Sequence, residues 1–202
     1  MASNGNKIIH HHQNFIDNGL IYLCNQIDRP LYRMGVTPNM ITLFGLFTGL
    51  LSIHFLVQKR YVLSIAFLWI TYFTDCLDGY MARKYNLTTK LGDYLDHFRD
   101  QFVILSIISI CVLQIRKTKY KLLFILLIAF FGLLMLSQLG CQEKLTQYND
   151  HNDCLKILKC FCPGNAEDNI EFTKWFGCGT FFMVLSIFIF SIQFHLFQPT
   201  TL

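Results

Sequence analysis

Charge is scarce in this chain. Asp, Glu, Lys and Arg make up 15% of 202 residues, against 53% hydrophobic residues and twenty Phe. That balance excludes an ordinary soluble globular protein. Proline is scarce too, with four in all and none within 61–74 or the apolar runs that follow, so long helices there need not break. No basic run with interleaved aromatics is present, which argues against a nucleic-acid partner. No internal repeat is visible. The first apolar run begins only at residue 40, behind a polar segment, so no cleavable signal peptide is expected. The cysteines of the polar stretch, Cys154, Cys160 and Cys162, lie close to His151 but lack the C-x2-4-C pairing of structural zinc sites, and free thiols are expected there. The other five are scattered singly, mostly in or beside apolar segments, and read as small packing residues.

What the chain has in abundance is long apolar runs. Residues 40–57, 122–139 and 175–197 are uncharged or nearly so, and a membrane-crossing helix needs ~20 such residues. Residues 61–74 and 102–114 are too short alone. Joined to the polar motif between them they become helices of about 25 residues, ~37 Å long. The expected fold is therefore an all-α integral membrane protein. Its bundle has about five transmembrane helices, at 39–57, 61–85, 91–116, 120–139 and 173–197. Residues 1–13, with their His10-His11-His12 run, are expected as a disordered tail. Residues 14–35 space Phe15, Ile16, Leu20, Ile21, Leu23, Cys24 and Ile27 as an interfacial amphipathic helix. Residues 36–202 form the membrane domain, interrupted by a polar loop at 140–172. Thr37-Pro38 reads as a helix start, with Thr at the N-cap and Pro in the first turn.

Most of the chain's functional information lies between residues 75 and 100. Asp75-x-x-Asp78-Gly79-x-x-Ala82-Arg83 is followed, eight residues later, by Gly92-x-x-x-Asp96-x-x-x-Asp100. Positions 75, 78, 79 and 82 share one helix face, and 92, 96 and 100 share one face of the next. Two such faces can close into an acidic pocket. Acidic side chains inside a span normally face the bundle interior as functional groups. Four carboxylates so placed would repel one another unless a cation joined them. With no His or Cys on the motif face, the donor set favours a hard ion: Mg²⁺, with Mn²⁺ or Ca²⁺ as alternatives. Four Asp could hold two ions, an arrangement suited to phosphoryl transfer. Gly79, Ala82 and Gly92 either admit a ligand to the backbone or serve as small contacts between helices. Asp93 falls one residue off the ligand face.

The pattern D-x2-D-G-x2-A-R-x8-G-x3-D-x3-D resembles the signature of the CDP-alcohol phosphatidyltransferase family at every defined position. Thr37-Pro38-Asn39 followed by Ile41-Thr42 is similar to the segment opening that family's first span. The resemblance covers about residues 35–110. It implies a phospholipid-synthesising enzyme that transfers a phosphoryl-linked group from a CDP-linked donor to an alcohol or lipid acceptor and releases CMP. By the same resemblance Asp75, Asp78 and Asp96 are metal ligands. Asp100 ligates the second ion and acts as the catalytic general base. Gly79, Ala82, Arg83 and Gly92 surround nucleotide and phosphate, and Asn39 is a candidate substrate contact. The resemblance also implies two Mg²⁺ ions, contact with membrane lipids, a homodimer, and six spans where the chain shows five. The sixth is either hidden in 140–172 or absent.

Two local patterns point to different alcohols. Thr74–Arg83 is similar to bacterial phosphatidylglycerophosphate synthases, and Asp96-His97-x-x-Asp100 is similar to choline and ethanolamine phosphotransferases. His97 either meets phosphate, orients Asp100, or packs against a neighbouring helix. Arg99 either balances the site's charge or touches phosphate, or forms a structural ion pair with a nearby Asp. Two other classes compete with the enzyme: a membrane cation transporter using the Asp cluster, and a catalytically silent lipid-binding relative. With the N-terminus cytosolic, that side carries ten Lys and Arg (Lys7, Arg29, Arg33, Arg83, Lys84, Lys90, Lys144, Lys156, Lys159, Lys174) against six opposite (Lys59, Arg60, Arg116, Lys117, Lys119, Lys121). The positive-inside rule then turns the site toward the cytosol.

Overall fold

Side-chain caps start three of the long helices. Asn14 accepts from the Ile16 amide at 3.0 Å, Thr37 from the Met40 amide at 3.4 Å with Pro38 next to it, and Thr89 from the Gly92 amide at 3.0 Å. Each satisfies an amide that has no partner within its helix. The computed structural model describes Gly5 and residues 10–145 and 158–196, and among these there is no strand. The helices are α1 Phe15–Arg33, α2 Pro38–Val57, α3 Tyr61–Lys84, α4 Lys90–Gln114, α5 Thr118–Leu145, α6 Ala166–Thr173 and α7 Cys178–Leu196. Gly35, at φ +78°, makes the turn from α1 into α2 in a conformation that other residues adopt only with strain.

Four stretches are long and apolar enough to cross a membrane: Pro38–Val57, Tyr61–Lys84, Thr118–Leu145 and Ala166–Phe194, the last taking in α6, the turn after it and most of α7. The fold is a multi-pass integral membrane helical bundle. α4 carries Asp93, Asp96, Arg99 and Asp100 in its N-terminal half and packs against α2, α5 and α7 as the bundle's fifth long helix. Short links make α2 to α5 alternate in direction. The starts of α2 and α4 and the ends of α3 and α5 therefore share one end. Away from that end the interior is mainly apolar, with Leu56, Leu68, Val103, Ile107, Phe124, Leu185 and Ile189 buried together and a few internal hydrogen bonds such as Ser52 to the Ser64 carbonyl at 2.8 Å. Large apolar side chains such as Phe44, Phe47, Leu126, Phe130 and Leu133 point outward, as they should toward lipid.

Gly45 and Gly49 on α2, spaced four apart, let α4 approach closely. A Cβ on Gly49 would lie 2.5 Å from Val103 Cγ2. α1 runs alongside the second half of α3 and reaches the site end with its last turns. Its Asp28 accepts from Lys84 Nζ at 2.7 Å and from the Tyr85 hydroxyl at 2.6 Å, and Asn25 accepts from Tyr80 at 2.9 Å. Burial alone would raise the Asp28 pKa, but the hydrogen bonds from Lys84 and Tyr85 outweigh it and hold the group below the usual carboxylate value.

Several expectations are revised. The last span is not continuous over 173–197: α6 ends at Thr173, Lys174–Phe176 forms a 3-10 turn, and α7 begins at Cys178. The break comes from α1, whose Asn14 amide donates to the Lys174 carbonyl at 2.8 Å and to Thr180 at 2.9 Å. The polar loop is shorter than 140–172, since α5 runs to Leu145 and α6 opens at Ala166. Cys162 is not a free thiol. It forms a disulfide with Cys141, which lies inside α5 and looked like a packing residue, while Cys160 remains free and exposed. Cys154 lies outside the described residues. At the end of the expected tail, His10–His12 forms a turn beside α6, with His11 and His12 both within 3.3 Å of Glu171. The segment suspected of hiding a sixth span lies partly outside the described residues, and its described end is the short turn Lys159–Phe161.

Candidate metal and phosphate site

α3 and α4 bring all four motif aspartates to one point. Asp75, Asp78 and Asp96 can each place a carboxylate oxygen within 4.8 Å of the others. Asp100 joins them through a shared partner that the sequence left ambiguous. Arg99, 1% exposed, donates from Nη1 to Asp78 at 2.9 Å and from Nη2 to Asp96 at 2.6 Å, to Asp100 at 2.7 Å and to Asp75. Arg99 is thus ion-paired four times over, once with each motif aspartate. Its slot exists because Gly45 has no side chain: a Cβ there would meet Nη1 at 3.2 Å and Cδ at 3.4 Å. With all four carboxylates ionised, one guanidinium would leave three negative charges to be met by another cation. A hard divalent ion fits this all-oxygen donor set.

Beside the cluster opens a small, half-open pocket of about 50 Å³. Pro38, Asn39 and Thr42 of α2 form one wall, Asp78, Gly79 and Ala82 of α3 another, and Gly92, Asp93 and Asp96 of α4 a third. Leu87, Thr88 and Thr89, just before α4, complete it. The start of α4 therefore faces the cavity, where its amides and helix dipole favour an anion. Gly92 is small for a local reason: a Cβ would lie 2.6 Å from Asn39 Oδ1. Gly79 likewise leaves room for Arg83, whose Nη1 would be 3.1 Å from an added Cβ. Arg83 itself does not line the pocket, and its Nε donates to the Gly5 carbonyl at 3.0 Å. His97 stands at the edge, with Nδ1 3.8 Å from Asp96.

Residue spacing missed two contributors. Thr42 donates to Asp78 at 2.7 Å across 36 residues of sequence, so no local pattern links them. Asp93, set aside as off the ligand face, lines the pocket because the cavity extends past the start of α4.

A profile of the CDP-alcohol phosphatidyltransferase family matches residues 35–151, more than half of the chain. The chain belongs to that family. Among individual relatives, an uncharacterised protein of Aquifex aeolicus is 40% identical over 35% of this chain and 36% of its own length. A CDP-diacylglycerol–glycerol-3-phosphate 3-phosphatidyltransferase of the same organism is 30% identical, over 45% of this chain and 51% of its own. An archaetidylinositol phosphate synthase of Pyrococcus horikoshii is 36% identical over 41% and 44%. The chain thus spans about half or less of the curated relatives it matches. No solved structure matches it.

Proposed function

We propose that the protein is an Mg²⁺-dependent CDP-alcohol phosphotransferase of phospholipid synthesis, releasing CMP. One observation carries the reading: four aspartates from two neighbouring helices converge with excess negative charge beside a pocket floored by a helix start. Asp75, Asp78, Asp96 and Asp100 would hold two Mg²⁺ ions, with Mn²⁺ as the alternative. When bound, the ions would offset the charge of the donor's pyrophosphate. The cavity walls at Asn39, Gly79, Ala82 and Gly92 admit the donor's nucleotide and phosphates close to backbone. The acceptor hydroxyl oxygen attacks the donor phosphorus, the bond to CMP breaks, and Asp100 takes the hydroxyl proton. Thr42 fixes one oxygen of Asp78.

The two named relatives act, by their names, on different acceptors at similar identity, so the shared motif does not select the alcohol. A purified-protein panel of CDP-donors and acceptors, with product lipids identified by mass, decides it. CMP release requiring donor, acceptor and Mg²⁺ supports the enzyme. Ion flux without CMP would sink it in favour of a transporter. The homodimer implied by the family resemblance is checked by crosslinking the protein in its native membranes.

We also propose that the site faces the cytosol, on the basis of the Lys and Arg asymmetry. The Cys141–Cys162 disulfide lies at the site end and pulls the other way, because reducing compartments keep thiols reduced. Cys160, free and exposed near the same end, is the natural probe. An impermeant maleimide added to intact cells should leave it unlabelled, and labelling would reverse the orientation.

A further inference from the structure

We propose that Arg99 is a built-in counter-cation of the aspartate cluster. It competes with divalent ions for the same oxygens, so the guanidinium must leave its slot when metal loads. The proposal rests on the metal-site reading above, and goes beyond it in giving the chain its own occupant for that site.

Three observations carry it. First, the contacts are made by all four candidate ligands. Asp75, Asp78, Asp96 and Asp100 each give one carboxylate oxygen to the one guanidinium, so a metal drawing the same carboxylates together meets Arg99 between them. Second, the residue is housed. It is buried at 1% exposure, and glycine at position 45 leaves the room its Nη1 and Cδ occupy. A solvated arginine drifting toward acid groups would need no such slot. Third, the match is chemical but incomplete. A planar guanidinium satisfies carboxylates by directed hydrogen bonds yet brings one charge, where a divalent ion brings two. Arg99 therefore keeps the metal-free cluster together without neutralising it. The expected consequence is a site whose metal affinity is lower than its four carboxylates would otherwise confer, and whose metal-free form does not fall apart.

The test uses the full chain in nanodiscs, stripped of metal, with free Mn²⁺ followed by its electron paramagnetic resonance signal. R99Q should bind Mn²⁺ at least about tenfold more tightly than the unaltered protein. R99K should fall between them, because a lysine keeps the charge but cannot fork to four partners. Metal-free R99Q should melt at a lower temperature and gain more from added Mn²⁺ than the unaltered protein does. D96N should weaken Mn²⁺ binding in every background. Mn²⁺ binding that D96N weakens but R99Q leaves unchanged, or weakens, overturns the competition and spares the metal site. Binding indifferent to D96N overturns both. Should R99Q not fold, the unaltered protein still answers through a dicarbonyl reagent read at the Arg99 peptide by mass spectrometry. Protection without metal and modification with saturating Mn²⁺ support the proposal. Equal protection in both states overturns it.

Discussion

α3 and α4, both packed on α2, pass through two different environments along their length. Toward one end their neighbours are Leu68, Val103, Ile107 and Cys111, buried in a dry cluster held by shape alone. Toward the other, Thr42, Asp78, Arg99, Asp96 and Asp100 hold one another through directed hydrogen bonds and charge. Dispersion is non-directional and tolerates a repacked neighbour, at a cost set by the void that remains. A buried charged network tolerates little, because removing one partner strands another. Substitutions at the apolar end should therefore cost stability alone, whereas those at the charged end should cost function and, where a partner is stranded, stability as well.

The sharpest break of that contrast is at Asp100. D100N should lower CMP release by about 10²–10⁴-fold, the usual contribution of a general base, while the melting temperature stays close to normal. An active D100N would remove the base assignment. The mirror experiment is I107A at the dry end. It should cost about 2–5 kcal/mol of stability and leave CMP release per folded molecule intact, as judged by melting and by activity normalised to folded protein. A loss of turnover there would show that the two ends are coupled. T42V probes the boundary. Losing the donor to Asp78 should reduce metal-dependent turnover about tenfold, ~1.4 kcal/mol, with a smaller effect on melting.

The smallest effect belongs to α1, which is fastened to the site end by Asp28. Its folded-state pKa is depressed below 3.8, so its stabilisation is present above the unfolded value and lost as pH falls through the folded one. D28N should thus melt lower than the unaltered protein at pH 7, and the two should converge in strong acid. A gap that persists there would mean the residue acts by shape, without charge.

The helical faces at 75, 78, 79 and 82 and at 92, 96 and 100 were legible from spacing, because an α-helix fixes which residues are neighbours. The same held for the start at Thr37, where a short polar side chain meets an unpaired amide; the matching cap at Thr89 came only with the structure. Arg99 was not legible. Whether it faced phosphate or aspartate depended on Gly45, 54 residues earlier, which leaves the slot open. Nor was the break in the last helix, since it follows from Asn14 docking on Lys174 and Thr180 from the far end of the chain. Cys141 illustrates the same limit: a lone cysteine in an apolar run shows nothing of a partner 21 positions on.

Local periodicity and the run of apolar side chains determined the helices, their membrane setting and the acidic face, since these depend on neighbours within a few residues. Only the tertiary structure decided what that face meets. The guanidinium in the cluster, the threonine on Asp78 and the pocket at the start of α4 all arise from helices far apart in sequence, and packing alone sets which of their side chains touch.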